Sequence, residues 1–385
     1  MRNGLNITGV SESVHEYRDN PEEAVADFRV VTPLPAPGED IAVSRTLALR
    51  DGTYRIARDF TLRHRLTLDG GSGDPTPCES MLAAVAACVL TTKINGFTSR
   101  GVSLTALRTT ARAQLPLGPD GAPAAGAALD GLGWSTEIDC DAPTATLRSI
   151  NELVGAFSPN HQSALDSSPV EATVTVHGPA GSEVFPVEWA PASSGGTDGR
   201  AVAAEADVVW EDGSESAYTT SLTTDGETRT TRPLVVDQAK QMLGIDKGPN
   251  SQEILLAALT AEVAGLLRQD PALSGIPVTG ARLFGSGRLD TRGMLNVVRE
   301  VPSRFHDLRI DLTVDGDPEH GRALAAALGA ALSRAVLPAT LLARLTVAVE
   351  MIRDGRQEVS GLTTLAQTEA VRDEVTRRQL AAAQA

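Results

Sequence analysis

Residues 75–108 read PTPCESMLAAVAACVLTTKINGFTSRGVSLTALR, and residues 249–282 read PNSQEILLAALTAEVAGLLRQDPALSGIPVTGAR. The second stretch repeats the first 174 positions later, without a gap. Ten of the 34 positions are identical, among them Glu79/Glu253, Ala83/Ala257, Ala87/Ala261, Gly101/Gly275 and Arg108/Arg282. Self-similarity at a fixed offset marks a duplicated structural unit. Each copy begins with a Pro (Pro75, Pro249), as helix entries prefer, and continues as an Ala/Leu-rich run that is apolar nearly all round. A helix of that kind is buried on every side.

The repeat extends beyond these windows. After Gly101 and Gly275 come alternating runs, VSLTALRTTARAQL and IPVTGARLFGSGRL, with the period of a strand. WSTEIDC (134–140) and DLRIDLTV (307–314) predict further strands. TATLRSINELVGAF (144–157) and GRALAAALGAALSRAV (321–336) predict a second helix in each half. EATVTV (171–176) and RLTVAVEMI (344–352) close the halves with strands, and residues 40–60 and 206–236 open them with hairpins. The order is β-β-(β)-α-β-β-α-β twice, an α+β architecture doubled within one chain. The expected divisions are an N-terminal arm at 1–39 with a helix near 21–28, a first domain at 40–189, a Ser/Gly-rich linker at 190–204, a second domain at 205–355 and a helical tail at 356–385. Leu362, Leu365, Val371 and Val375 are expected to dock that tail.

A length of 385 residues suits two domains. Against 34 Lys and Arg stand 49 Asp and Glu, a net charge of −15. Such a surface repels phosphate, so nucleic acid is not an expected partner. Apolar runs of about 18 residues are missing and the N-terminus has no apolar core, so neither a membrane span nor a leader is expected. Three cysteines, Cys78, Cys88 and Cys140, are too few for a disulfide framework and fit a reducing, cytoplasmic setting. The six histidines show no HxxxH or HExxH spacing, and glycine-rich nucleotide loops are lacking, so no metal or cofactor is expected.

The stretch Pro75-Thr76-Pro77-Cys78-Glu79-Ser80-Met81-Leu82-Ala83-Ala84-Val85-Ala86-Ala87-Cys88 resembles the central helix of the OsmC/Ohr family, the osmotically inducible and organic-hydroperoxide-resistance proteins. Phe157-Ser158-Pro159-Asn160-His161 looks like the family's Cys-Pro segment, and both halves share the likeness over roughly 40–180 and 205–352. The resemblance implies two OsmC-like domains packed as an intrachain pseudo-dimer, with antiparallel sheets around central buried helices. It also implies a reactive thiol at Cys88, an Arg held by the helix Glu79 that lowers the thiol pKa, and Arg50 as that Arg, with Arg45, Arg55 and Arg58 close by. An ideal helix puts Glu79 and Cys88 on opposite faces, about 13.5 Å apart, so Glu79 would need a bridging Arg or an irregular first turn. A free Cys has a pKa near 8.5, and only its thiolate is a nucleophile.

Two departures from the family matter. Ser158 stands where the family has its second Cys, and Ser cannot close a disulfide with a sulfenic acid. Cys78 is too far along the helix to replace it, which leaves Cys140 as a remote candidate and an external thiol as the expected reductant. The repeat partner of Cys88 is Glu262, a carboxylate in an apolar helix that must be paired or protonated. It is either a general acid/base with a raised pKa or half of a salt bridge to an Arg. His161 is a further base candidate. The expected function is a thiol-dependent enzyme acting on an organic hydroperoxide or another small electrophile, as a monomer or weak homo-oligomer of the pseudo-dimer. The alternatives are a diverged biosynthetic enzyme using Cys88 or Glu262, and a redox-inactive small-molecule binding protein.

Overall fold

Thr76 and Asn250 start the two repeated helices in the same way. Each side chain accepts the N–H of the Glu three residues on, and that Glu (Glu79, Glu253) accepts the cap's own N–H. This reciprocal box satisfies amides that a helix start leaves unpaired. The structure is a computed structural model that describes residues 1–384 apart from 70–72, 194–198, 274, 277–278, 296 and 299. The expected linker at 190–204 falls partly on 194–198 and there lies outside the described residues.

The first half runs α1 (Ile7–Asp19), β1 (Val25–Pro33), β2 (Ile41–Thr46), β3 (Leu49–Asp51), β4 (Tyr54–Ile56), β5 (Thr61–Arg65), α2 (Pro77–Ser99), β6 (Ala106–Pro116), β7 (Asp130–Asp139), α3 (Thr144–Phe157), α4 (Pro159–Leu165), β8 (Val170–Gly178) and β9 (Gly181–Pro186). The second runs β10 (Ala201–Asp212), β11 (Glu215–Thr224), β12 (Glu227–Thr230), β13 (Leu234–Val236), α5 (Ser251–Arg268), β14 (Thr279–Asp290), α6 (Thr291–Met294), β15 (His306–Asp315), α7 (Gly321–Arg334), α8 (Val336–Leu342), β16 (Val347–Arg353), β17 (Arg356–Thr363) and α9 (Leu365–Gln384). The fold is α+β with two mixed sheets.

Each sheet takes strands from both halves. One has the order β4-β3-β1-β14-β15-β8-β9, with β2 bridging β1 and β5; the other has β12-β11-β10-β6-β7-β16-β17, with β13 on β11. Thus β14 and β15 of the second half lie between β1 and β8 of the first, and β6 and β7 lie between β10 and β16 in the same manner. The expectation of purely antiparallel sheets is corrected at two places, because β15 pairs β8 in parallel and β16 pairs β7 in parallel. Hairpins impose antiparallel pairing only on strands they connect. β15 and β8 belong to different halves, as do β16 and β7, so no turn constrains them.

α2 and α5 pack against each other between the sheets. α2 is long and apolar enough to cross a membrane by length and composition, contrary to the expectation from the sequence, but most of it is buried inside the protein. Its Met81–Leu90 stretch is buried at every residue.

The arm and the tail differ from expectation. In place of a helix near 21–28 there is a 3-10 turn at Pro21–Ala24, and then β1 at the centre of a sheet. Ala26, Phe28, Val30 and Thr32 point inward with period two and are wholly buried. The tail opens as edge strand β17 before α9, so Leu362 is a strand residue, 61% exposed, and docks no helix.

Candidate functional site

Cys88 lies on α2 where the start of α4 and the start of α5 converge. Pro159 opens α4, and Ser158 precedes it as the end of α3. Ser158 Oγ donates to Cys88 Sγ at 3.3 Å, the backbone N–H of Asn160 at 3.5 Å and Gln252 Nε2 at 3.6 Å. Ser251 is a further hydrogen-bonding neighbour of the thiol. Asn160 ties the three helices together, because its Nδ2 donates to the carbonyls of Ala84 (2.9 Å) and Ser251 (3.1 Å). The thiol is only 3% exposed. Burial pushes its pKa above the ordinary value, while the bonds from Asn160, Ser158, Ser251 and Gln252 pull the other way.

The expected Arg50–Glu79–Cys88 constellation is not assembled. Arg50 is exposed on β3, aligned across the ladders with Asp27 and Arg55. Glu79 accepts from Thr76 N–H and Thr76 Oγ1, each at 2.8 Å, and from Thr220 Oγ1 of β11 at 2.9 Å, with Arg65 Nη2 at 3.7 Å. The carboxylate next to the Cys88 neighbours is instead Glu253, the residue after Gln252. It is paired with Arg58, whose side chain is wholly buried: Nε to Oε1 at 3.0 Å and Nη2 to Oε2 at 2.7 Å. Arg58 also donates to Gly248 O at 2.9 Å and to Asp246. The physical reason is the helix geometry already noted: Glu79 and Cys88 of one helix face apart, whereas the packed helix of the other half brings its first turn to Cys88.

Glu262 occupies the mirrored position, and no Arg pairs with it among the described residues. Its two oxygens accept the N–H groups of Val336 (2.8 Å) and Leu337 (2.9 Å) at the start of α8. Leu337 mirrors Asn160, so the same backbone donor that reaches the thiol in one half reaches a carboxylate in the other. Burial raises the Glu262 pKa to about 7, against the lowering effect of those two bonds. Burial, then the charge of Glu79 and least that of Glu262, drive up the thiol of Cys78, the mirror of Gln252.

The folded Glu262 pKa lies above its ordinary 4.5, so the folded state binds the proton more tightly. The stability this group contributes is therefore full at low pH and falls as pH rises from about 4.5 through about 7. Glu262→Gln keeps one acceptor but cannot titrate. The melting-temperature gap between wild type and this variant should narrow between pH 5 and pH 8; a constant gap would show that Glu262 does not titrate there.

The remaining candidates separate. Ser158 joins the site directly. His161, on α4 beside Asn160, is fully buried and accepts from Trp134 Nε1 at 3.2 Å through Nδ1. Burial, with a smaller effect of Lys93, lowers its pKa to about 3, so it is a neutral ring, and it is not among the groups bonded to the Cys88 sulfur. Cys140 follows β7, and burial raises its pKa. It is not among the residues bonded to the Cys88 sulfur. Sequence reasoning missed Asn160 and Gln252 as thiol donors. The sequence held no clear signal for Gln252: its mirror is Cys78, in a stretch where Thr76/Asn250 and Pro77/Ser251 differ as well. Comparison with family models and with curated proteins returned no match.

Proposed function

We propose that the chain is a tandem OsmC-like protein, folded as an intrachain pseudo-dimer, with a single thiol site at Cys88 that reduces a small electrophile such as an organic hydroperoxide. The observation that carries this reading is the convergence of Ser158 Oγ, Asn160 N–H and Gln252 Nε2 on one buried sulfur. Such donors stabilise negative charge on sulfur in the thiolate form. The interleaved sheets supply the rest of the argument: a separate-chain version of either half would need a partner to complete its sheet.

In the reaction the Cys88 thiolate attacks the distal peroxide oxygen, and the O–O bond breaks. Sulfur is oxidised to sulfenic acid, and the alkoxide takes a proton and leaves as alcohol. Ser158 cannot resolve this species, so an external thiol condenses with it, releasing water and forming a mixed disulfide. A second thiol then releases Cys88 and leaves as a small disulfide. Arg58 and Glu253 hold the first turn of α5, and with it Gln252, against the sulfur.

Wild-type protein should consume cumene hydroperoxide with glutathione as with dithiothreitol, and Cys88→Ser should fall to the background rate. Arg50→Ala should change neither rate. A specific observation favours a second reading, non-peroxidatic chemistry by a diverged biosynthetic enzyme: neither a second thiol nor a guanidinium touches Cys88 among the described residues. If wild type consumes no peroxide while Cys88 still reacts with iodoacetamide, the peroxidase reading is lost and this one takes its place.

A further inference from the structure

The two central helices end differently. α2 runs to Ser99, whose repeat partner is Leu273, whereas α5 stops earlier, at Arg268. Beyond the end of α5 lies a cavity of about 470 Å³, lined by Leu34, Arg268, Leu273, Ile276, Gly280 and Ala281. That volume is within the roughly 300–1,000 Å³ of small-ligand sites.

In the first half the corresponding place is packed. The 174-residue offset matches Arg268 with Ile94, Pro271 with Phe97 and Ala281 with Leu107. Ile94, Phe97 and Leu107 are at most 1% exposed. The strand register matches Leu34 with Trp210, because Pro33 lies opposite Arg282 as Val209 lies opposite Arg108. The second half thus has Leu for Trp, Ala for Leu and Pro for Phe, a smaller side chain each time. The N-terminal arm then closes the end of α2. Asn3 Nδ2 donates to Thr98 Oγ1 at 2.9 Å and to Val102 O at 3.0 Å, its Oδ1 accepts the Leu104 N–H at 2.9 Å, and Leu5 is 2% exposed. Val102 is the counterpart of Ile276, so the arm seals a place whose equivalent beyond α5 is hollow.

The fourth exchange, Arg268 for Ile94, reverses the chemistry. Arg268 is half-buried, and no carboxylate pairs with it among the described residues. Asp270, two positions on, pairs with Arg334 at 3.8 Å. A cation in a last turn complements the helix dipole. The last turn of α2 has no basic residue, however, so the fold does not demand one there. The other walls are apolar: Leu34, Leu273, Ile276 and Ala281 are partly buried and pack on the core. The cavity therefore offers one guanidinium without an acid and an aliphatic surface beside it.

We propose that this cavity binds an aliphatic monocarboxylate of medium chain length, with its carboxylate on Arg268 and its chain among Leu34, Leu273, Ile276 and Ala281. A guanidinium meets a carboxylate through two parallel N–H···O bonds, which fixes the orientation of the ligand. Removing the chain from water supplies the rest of the affinity. The site is separate from the thiol: Gln252, which touches Cys88, and Arg268 stand at opposite ends of α5, about 24 Å apart along its axis.

Isothermal titration calorimetry of the full-length protein with sodium octanoate, octylamine and 1-octanol tests this. Wild type should bind octanoate saturably at one site per chain, and octylamine at least about tenfold more weakly, because the ammonium meets a cation. Arg268→Gln should weaken octanoate binding about tenfold or more, the worth of a hydrogen bond to a charged group, and leave octanol binding unchanged. Ala281→Leu puts the first half's residue into the cavity wall. It should abolish binding of octanoate and octanol alike without lowering the melting temperature. The proposal is overturned if wild type binds no octanoate, or binds octylamine as tightly. It is equally overturned if Arg268→Gln or a folded Ala281→Leu protein binds octanoate as wild type does.

Discussion

Residues 1–193 expressed alone should not yield a monomeric folded domain. Cutting after β9 removes β14, which runs beside β1 from Val25 opposite Asp290 to Pro33 opposite Arg282, and removes β15 from the flank of β8. It also strips β10 and β16 from the two sides of β6 and β7, and takes α5 from the buried face of α2. The fragment is left with four unpaired strand edges and a bare apolar helix. Open edges of this kind pair with other chains. The fragment should precipitate, or form a homodimer in which β6 and β7 of each copy take the place that β14 and β15 have in the whole chain. Co-expression with residues 199–385 should restore a soluble one-to-one complex. Size-exclusion chromatography with light scattering distinguishes these outcomes. A cooperative, monomeric unfolding transition for 1–193 would refute the interleaved arrangement.

Arg58→Met should destabilise the protein severely. The Arg58 side chain is wholly buried, that of Glu253 is 1% exposed, and both ends of the guanidinium fork meet the carboxylate. Removing the cation leaves Glu253 charged in the interior and Gly248 O without this donor. The loss of one partner of a buried pair costs about 3–5 kcal/mol, a large share of the roughly 5–15 kcal/mol that holds a typical protein folded. Arg58→Lys should recover little, because an ammonium cannot make the bidentate contact. The double variant Arg58→Met, Glu253→Leu should recover part of the loss, since it removes the buried Glu253 carboxylate, while Asp246 stays without Arg58 and the Asn250 N–H loses its capping acceptor. Urea unfolding of the three variants tests this. A change below about 1 kcal/mol for Arg58→Met, the range of exposed pairs, would mean that water screens the site.

The mirrored half lacks this pair. Arg232, at the repeat position of Arg58, is exposed. Glu79 is held chiefly by hydroxyl and amide donors, with Arg65 more distant. One site thus has Cys88 beside the Arg58–Glu253 pair, which spans the two halves, and the corresponding site has Glu262 and Glu79. In both, a donor from the start of a short helix reaches the group on the central helix, be it sulfur or carboxylate.

What the sequence alone determined is everything that depends on period and repetition. The apolar run from Met81 to Leu90 and its echo dictate two buried central helices. The spacing in TATLRSINELVGAF predicts a helix at 144–157, where α3 lies. The alternating runs place β6, β7, β14 and β15, and the offset of 174 pairs Cys88 with Glu262. Residue choice also marked Cys88 and Ser158, which meet at 3.3 Å. Only the tertiary structure decided partners. Period says that a strand exists, not which strand lies beside it, and β1 is a strand because β14 and β2 flank it. Nor does period reveal that the first turn of α5, more than 160 residues away, completes the Cys88 site with Gln252 and the Arg58–Glu253 pair. The resemblance assigned Glu79 and Arg50 to Cys88 by matching them to the family's helix Glu and strand-turn Arg. A helix turns 100° per residue, so nearness along the chain separates Glu79 from the thiol, and the packing of the two halves supplies what one half cannot.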